Sequence, residues 1–196
     1  MGTAIEFRVA GQGDLDAMVE TLAGAFREDP LWGWAFPNGE GVEEWWSFLV
    51  SSALRYPCCW VTEGCEAVSI WIPPGGTELT PDEESQVEGL MDRLLGPRAS
   101  EAMELLDRFE QNHPQGRPHY YLSLLGTHPD HRGKGLGMGL LEAVLRQTDG
   151  EGMSCYLESS NPANVPRYEE RGFRVVGGFE RPDGQVRVAG MWRDPA

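Results

Sequence analysis

An α/β sheet protein is what the order of patterns along this 196-residue chain predicts, and three observations carry that expectation. Short runs rich in β-branched and aromatic residues alternate with longer stretches of helical apolar spacing, which interleaves strands and helices in one series. Turn residues (Pro73-Pro74, Gly172, Asp183-Gly184) punctuate the series where strands or helices must end. A hydrophobic content of 40% with seven Trp supplies core material for one domain, so residues 1–196 are read as a single unit.

The elements follow in order. Ile5 to Val9 reads as a first strand, and Asp14 is placed to cap a helix running to about Phe26 with Leu15, Met18, Val19, Leu22 and Phe26 on one face. An aromatic loop, Asp29 to Pro37, precedes a helix over roughly Val42 to Arg55. Cys59 to Thr62 and Ala67 to Ile72 form a hairpin around Glu63-Gly64-Cys65. Acidic amphipathic helices are expected near Pro81 to Leu95 and Arg98 to Asn112, and His119 to Leu125 reads as a buried strand. Leu136, Leu140, Leu141, Val144 and Leu145 share one face of the next helix. Met153 to Glu158 is a short strand, Asn164 starts a helix that stops at Gly172, and Phe173 to Phe179 with Val186 to Met191 make a last hairpin.

Composition narrows the function classes. The net charge of −15 opposes nucleic acid and anionic membranes as partners and suits either a cationic acceptor or simple solubility. Apolar runs are too short to span a bilayer, and the N-terminus lacks a signal-peptide pattern. Four cysteines show no zinc-ligand spacing, and adjacent Cys58 and Cys59 oppose a disulfide framework, so a reduced, cytoplasmic protein without a metal is expected.

The densest chemical signal is Thr127 to Met138, a glycine turn carrying Arg132 and Lys134 between a strand and a helix N-terminus. Unpaired N–H groups and the positive end of the helix dipole suit a phosphate there, and Gly133, Gly135 and Gly137 let the backbone approach it. Neither the phosphate loop of nucleotide hydrolases nor the dinucleotide fingerprint fits the spacing. What fits is Arg132-x-x-Gly135-x-Gly137, which resembles the pyrophosphate-binding signature of the GNAT superfamily of acetyl-CoA-dependent N-acetyltransferases. A second stretch, Tyr156 to Phe173, with an Asn-rich turn and Tyr168-x-x-x-Gly172-Phe173, is similar to the region of that family that clasps the pantetheine arm. The order of elements further resembles puromycin N-acetyltransferase and its bacterial relatives, apart from the Trp density between Leu31 and Tyr56.

The resemblance implies a mixed, mostly antiparallel central sheet flanked by helices, with a V-shaped opening between the fourth and fifth strands. It also implies acetyl-CoA as co-substrate. Leu125, Gly126 and Thr127 would polarise the thioester carbonyl through backbone groups; Arg132, Gly133, Lys134, Gly135, Leu136, Gly137 and Met138 would hold the pyrophosphate. Asn161 and Asn164 would meet the pantetheine amides, Asn164 having a helix cap as its alternative. Tyr168 matches the family tyrosine near the thioester sulfur and would protonate the departing thiolate, its alternative being a core tyrosine. Glu158 is the first candidate general base, directly or through water, with a solvated or salt-bridged carboxylate as the alternative.

On the acceptor side, Glu28 and Asp29 are candidate ammonium anchors, and Trp32, Trp34, Phe36 and Trp46 a candidate aromatic wall. The activity expected is acetyl transfer to the amine of a small, cationic molecule, antibiotic-like or metabolic, by a monomer or homodimer. A peptide N-acetyltransferase and a non-catalytic acyl-CoA sensor are the competing readings.

Overall fold

The computed structural model describes residues 6–196. Seven strands form one sheet in the order β1-β2-β3-β4-β5-β7-β6: β1 (Phe7–Val9), β2 (Cys59–Thr62), β3 (Ala67–Ile72), β4 (His119–Thr127), β5 (Ser154–Ser159), β6 (Arg174–Glu180) and β7 (Arg187–Arg193). Neighbours pair antiparallel except β4 and β5, which run parallel. One face carries α1 (Leu15–Phe26), α3 (Val42–Ala53), α5 (Val87–Leu95) and α6 (Ala99–Asn112), whose apolar sides join a core centred on Trp45, Trp46, Leu22 and Ile70. The other face is covered by α7 (Leu136–Gly150) and α8 (Val165–Glu169), over Trp71, Leu122, Leu157 and Met191. Of the helical face read from the sequence, Leu140, Leu141, Val144 and Leu145 are all buried in α7. No helix among the described residues is long and apolar enough to cross a membrane.

Several boundaries differ from expectation for identifiable reasons. Ile5 lies outside the described residues, so β1 is described from Phe7. Asp14 does not cap α1; its carboxylate takes two hydrogen bonds from Arg8 (2.7 and 2.8 Å) and one from the Gly11 N–H (2.9 Å), closing the turn before the helix. That ion pair holds its pKa down at about 2. Within the aromatic loop, Trp32–Ala35 winds into the short helix α2 because Asp29 Oδ1 accepts from the N–H groups of Leu31 and Trp32. The acidic helix expected from Pro81 is broken at Ser85-Gln86 into α4 (Pro81–Glu84) and α5.

Two features of β4 shape the site. Its pairing with β5 stops at Leu122↔Leu157, although β4 continues to Thr127, so the two strands part and leave one edge of Ser123 to Thr127 facing an opening. In its pairing with β3, Leu122 faces Trp71 and Leu124 faces Ile70, so Ser123 is an extra, bulged residue. A bulge slips the alternation by one position. Leu122 therefore enters the core under α7, and Leu124 the core under α1 and α3.

Candidate active site

Where β4 and β5 part, a cavity of about 1680 Å³ runs from the glycine turn to α6. The turn forms one end. Gly133 and Gly135 take φ of +78° and +77°, backbone that side chains rarely adopt, and Gly137 sits where a Cβ would lie 2.7 Å from Thr127 Oγ1. The helical ladder starts with Gly139 N–H to Gly135 C=O (2.8 Å), so the N–H groups of Leu136, Gly137 and Met138 have no intrahelical acceptor. With Arg132 beside them, these donors fit a diphosphate. Leu125, Thr127, Arg132, Gly133, Gly135, Leu136, Gly137, Met138, Asn161 and Asn164 all border the cavity.

Gly126 and Lys134 do not. Gly126 turns toward α1, where a Cβ would meet Leu22 and Ala25 at 3.0 and 3.1 Å, so it is a packing glycine. Lys134 is exposed, its Nζ 3.4 Å from His131 Nδ1. The Arg132 guanidinium donates to the Ala25 carbonyl (2.9 Å), tying the turn to the end of α1. Asn161, rather than Asn164, does the local capping: its Oδ1 accepts from Ala163 N–H (3.0 Å). Asn164 makes no cap bond, and its Oδ1 accepts from Arg167.

The two residues expected to carry proton transfer also border the cavity. Tyr168, on α8, is buried among Val165 and Phe173 yet borders the cavity. Burial, with the Asp29 charge second, pushes its phenol up to about 12. The Glu158 side chain is 2% exposed, and no donor among the described residues meets either carboxylate oxygen at good hydrogen-bond geometry, although the Tyr121 and Tyr156 phenols lie near enough to feel it. Leaving a carboxylate buried and unpartnered is costly, which marks it as a group kept for a ligand or a proton.

Around Glu158 the fold gathers residues that sequence reasoning missed. His113 Nδ1 lies 3.6 Å from Glu158 Oε1. Glu78, in the loop after β3, accepts from the bulged Ser123 hydroxyl, and burial raises its carboxyl above the ordinary range. Tyr121 and Tyr156 press ring edges on the His113 imidazole, with centroids 4.7 and 5.2 Å away. Burial first, then the Glu158 charge, pushes both phenols well above their usual range. A signal for part of this was present: Tyr121 and Ser123 alternate in the strand that feeds the glycine turn, and two histidines flank a Pro/Gly loop only six residues apart.

The expected acceptor residues divide. Glu28 and Trp32 border the cavity. Asp29 borders it too, but its oxygens are engaged in the fold, Oδ1 by Leu31 and Trp32 N–H groups and Oδ2 by the Ser160 hydroxyl (2.8 Å), which removes it as a free ammonium anchor. The aromatic wall is narrower than expected. Trp46 and Phe36 are wholly core: α3 turns Trp46 onto Phe26 of α1, ring centroids 5.2 Å apart, and Phe36 is buried where α2 ends. Trp34 lies outside the cavity with the Arg98 and Arg181 guanidiniums 5.3 and 5.1 Å from its ring centre. In their place Trp45, Met103, Leu106 and Phe109 supply the apolar lining. No three His, Cys, Asp or Glu among the described residues are grouped to hold a metal ion.

Comparison with known proteins agrees with this geometry. Residues 103–173, from α6 through the glycine turn to Phe173, match the model of the Acetyltransferase (GNAT) family. A stretch of 64 residues is 41% identical to mycothiol acetyltransferase of Propionibacterium freudenreichii; it makes up 31% of this chain and only 20% of that protein. Among solved structures, the histone acetyltransferase HPA2 and related acetyltransferase of Corynebacterium glutamicum superposes with a TM-score of 0.72 at 21% identity, over 99% of this chain and 98% of that one. Arylalkylamine N-acetyltransferase 2 of Aedes aegypti gives 0.69 at 15% identity, over 99% and 100%. The polyamine N-acetyltransferase of Drosophila melanogaster gives 0.66 at 19%, over 96% and 98%. The fold is therefore the GNAT fold, an open seven-stranded sheet with one parallel pair.

Proposed function

We propose that the chain is an acetyl-CoA-dependent N-acetyltransferase acting on the amine of a small cationic molecule. The observation that carries this reading is one cavity joining an anion-binding helix terminus to a buried, unpartnered carboxylate, Glu158, and a buried phenol, Tyr168. Acetyl-CoA supplies the activated acyl group. Glu158 takes one proton from the acceptor ammonium, directly or through water, and frees the nitrogen lone pair. The nitrogen bonds to the carbonyl carbon, backbone N–H groups on the open edge of β4 stabilise the oxyanion, and the C–S bond breaks. Tyr168 gives its proton to the thiolate and regains one from the second proton that the nitrogen sheds as it becomes an amide, so each turnover leaves one proton on Glu158. A phenol held near 12 is protonated at neutral pH, so the donor is charged with its proton before each turnover.

The α6 end of the cavity supports a cationic acceptor. Glu28, Glu84, Asp107 and Glu110 border it, with Trp32, Trp45 and Phe109 as apolar wall. Among the relatives, polyamine and arylalkylamine acetyltransferases act on molecules of this character. An antibiotic acceptor, as in the puromycin acetyltransferases, belongs to the same chemical range. Four free thiols suit a reducing, cytoplasmic setting. The test is thiol release from acetyl-CoA against a panel of amines, including polyamines, arylalkylamines, aminoglycosides and N-terminal peptides. Release with none of them, beside tight acetyl-CoA binding, would favour a sensor; release with peptides alone would favour a peptide acetyltransferase.

A further inference from the structure

His113 and His119 line the cavity and have no part in the steps above. The His113 backbone N–H bonds back to Phe109 and Glu110, so the imidazole is fixed to the end of α6. Three contacts then line up. His113 Nδ1 is 3.6 Å from Glu158 Oε1, His113 Nε2 is 3.2 Å from His119 Nε2, and His119 Nδ1 is 2.7 Å from the Arg117 carbonyl oxygen.

The last contact fixes the protons of the other two. A carbonyl only accepts, so Nδ1 of His119 carries hydrogen. Neutral His119 then has a bare Nε2, and the bond at 3.2 Å requires the hydrogen on His113 Nε2. Neutral His113 is left with its lone pair at Nδ1, turned toward the Glu158 carboxyl. A lone pair and a carboxylate repel at that range, whereas one proton between them makes the contact attractive. The arrangement suits a proton arriving at Glu158.

We propose that His113 and His119 form a proton relay that carries the proton lost by the acceptor amine from Glu158 to solvent. The proposal rests on the acetyl-transfer reading of the same cavity. One proton passes from the ammonium to the Glu158 carboxylate and on to His113 Nδ1. The Nε2 hydrogen of His113 moves to His119 Nε2, and the Nδ1 hydrogen of His119 leaves to water at the exposed Arg117 loop. One proton enters and one leaves; the rings regain their starting tautomers by exchange with water.

The surroundings favour outward passage. Glu158 and Tyr156 face the relay from β5, Tyr121 from β4, Glu78 from the loop after β3, Trp192 from β7, and Arg117 from the loop before β4. Burial first, with His113 and Arg117 adding to it, holds the His119 imidazole below its ordinary range, against the pull of the Arg117 carbonyl and Glu158. A weakly basic terminus gives its proton up readily.

The experiment uses the full chain with an amine that wild type acetylates, in weak buffer. His113→Ala and His119→Ala should each lower kcat about tenfold or more, with KM for acetyl-CoA unchanged and with the loss reversed by added imidazole. His113→Gln, which fills the space but relays no proton, should be equally slow, and melting temperatures check that each variant is folded. Side-chain NMR titration gives a readout free of turnover. His113→Gln should raise the His119 midpoint, since the charge that His113 takes up on protonation is gone. An active wild type whose histidine variants match it in weak buffer, or lose rate without imidazole rescue, overturns the relay alone. An unmoved His119 midpoint in His113→Gln overturns it as well. A wild type that acetylates no amine overturns the acetyl-transfer reading and the relay's role with it.

Discussion

The two ends of the cavity are built in opposite ways. The glycine-turn end comes from one contiguous stretch, Leu125 to Met138, with Asn161 and Tyr168 added from the next motif, and it presents backbone N–H groups and the cations Arg132 and Arg167. The α6 end is assembled from α1, α3, the loop after β3, α5, α6 and the loop before β4, and it presents side chains, mostly carboxylates and aromatic rings. Backbone donors bind a phosphate whatever the neighbouring side chains are, provided the turn geometry is kept. Side chains drawn from separate elements can be exchanged singly. On the proposed reading, the first design would fix the co-substrate, and the second would leave the acceptor open to change.

The largest predicted effect falls on the chemistry between the two ends. Tyr168→Phe keeps the ring and its contact with Phe173, so acetyl-CoA should still bind while kcat falls by about 10²–10⁴, the range for a lost proton donor. Stopped-flow thiol release with an accepted amine measures it. A variant within twofold of wild type would return Tyr168 to the core.

The glycine-turn end should break as a unit. At a hundredfold excess over its Kd, acetyl-CoA should stabilise the protein by about 2.7 kcal/mol. Gly137→Val puts carbon where a Cβ meets Thr127 Oγ1 at 2.7 Å, so the rise in Tm on adding acetyl-CoA should vanish. Gly126→Ala presses instead on Leu22 and Ala25, and should lower the Tm of the apo protein while keeping the ligand shift. Equal ligand shifts in Gly137→Val and wild type would dissociate the turn from the co-substrate.

The same contrast decides which features are legible in the amino-acid sequence. The glycine turn, the hairpin at Cys59–Thr62 and Ala67–Ile72 and the apolar face of α7 are local, each set by spacing within a few residues, and sequence patterning finds them. Glu158 and Tyr168 are legible through the second motif. The convergence of Glu78, His113 and Tyr121 is not, because local patterns mark some of them singly but they meet only after the β4 bulge re-aims Ser123 and the end of α6 brings His113 to Glu158. Trp46 and Phe36 mislead for the complementary reason: an aromatic residue beside a pocket and one behind it look alike until helix rotation is known.

Asp29 joins the two ends, and its variants should act on stability more than on acceptor binding. Burial holds its carboxyl above the ordinary range, although the Trp32, Leu31 and Ser160 hydrogen bonds pull it down. A carboxyl raised on folding contributes stability that is full below its unfolded pKa, about 3.9, and is lost as pH rises through the folded value. Asparagine keeps the Oδ1 acceptor for Leu31 and Trp32 without a charge to bury. Asp29→Asn should therefore melt at or above wild type at pH 7, with the advantage vanishing below about pH 4. Asp29→Ala, which loses the cap, should be less stable by about 0.5–2 kcal/mol. Calorimetry across pH separates the two; an acceptor KM raised strongly in Asp29→Asn would restore the anchor reading.

The smallest effect is expected at the mouth of the α6 end, where exposed Glu84, Asp107 and Glu110 border the cavity. Exposed carboxylates bind weakly one by one but together draw a cation toward the opening. Replacing all three with their amides should lower kcat/KM for a polycationic acceptor about threefold to tenfold in dilute buffer. The gap should close as salt shortens the Debye length to about 8 Å. The KM for acetyl-CoA, an anion met by backbone N–H groups and Arg132 at the far end, should not follow the same salt curve. If the triple variant tracks wild type at every salt concentration, these carboxylates do no more than add to the net charge of −15 and keep the protein soluble. Acceptor choice would then rest with the inner wall, where Trp32, Trp45 and Phe109 meet the buried Glu78 and Glu158.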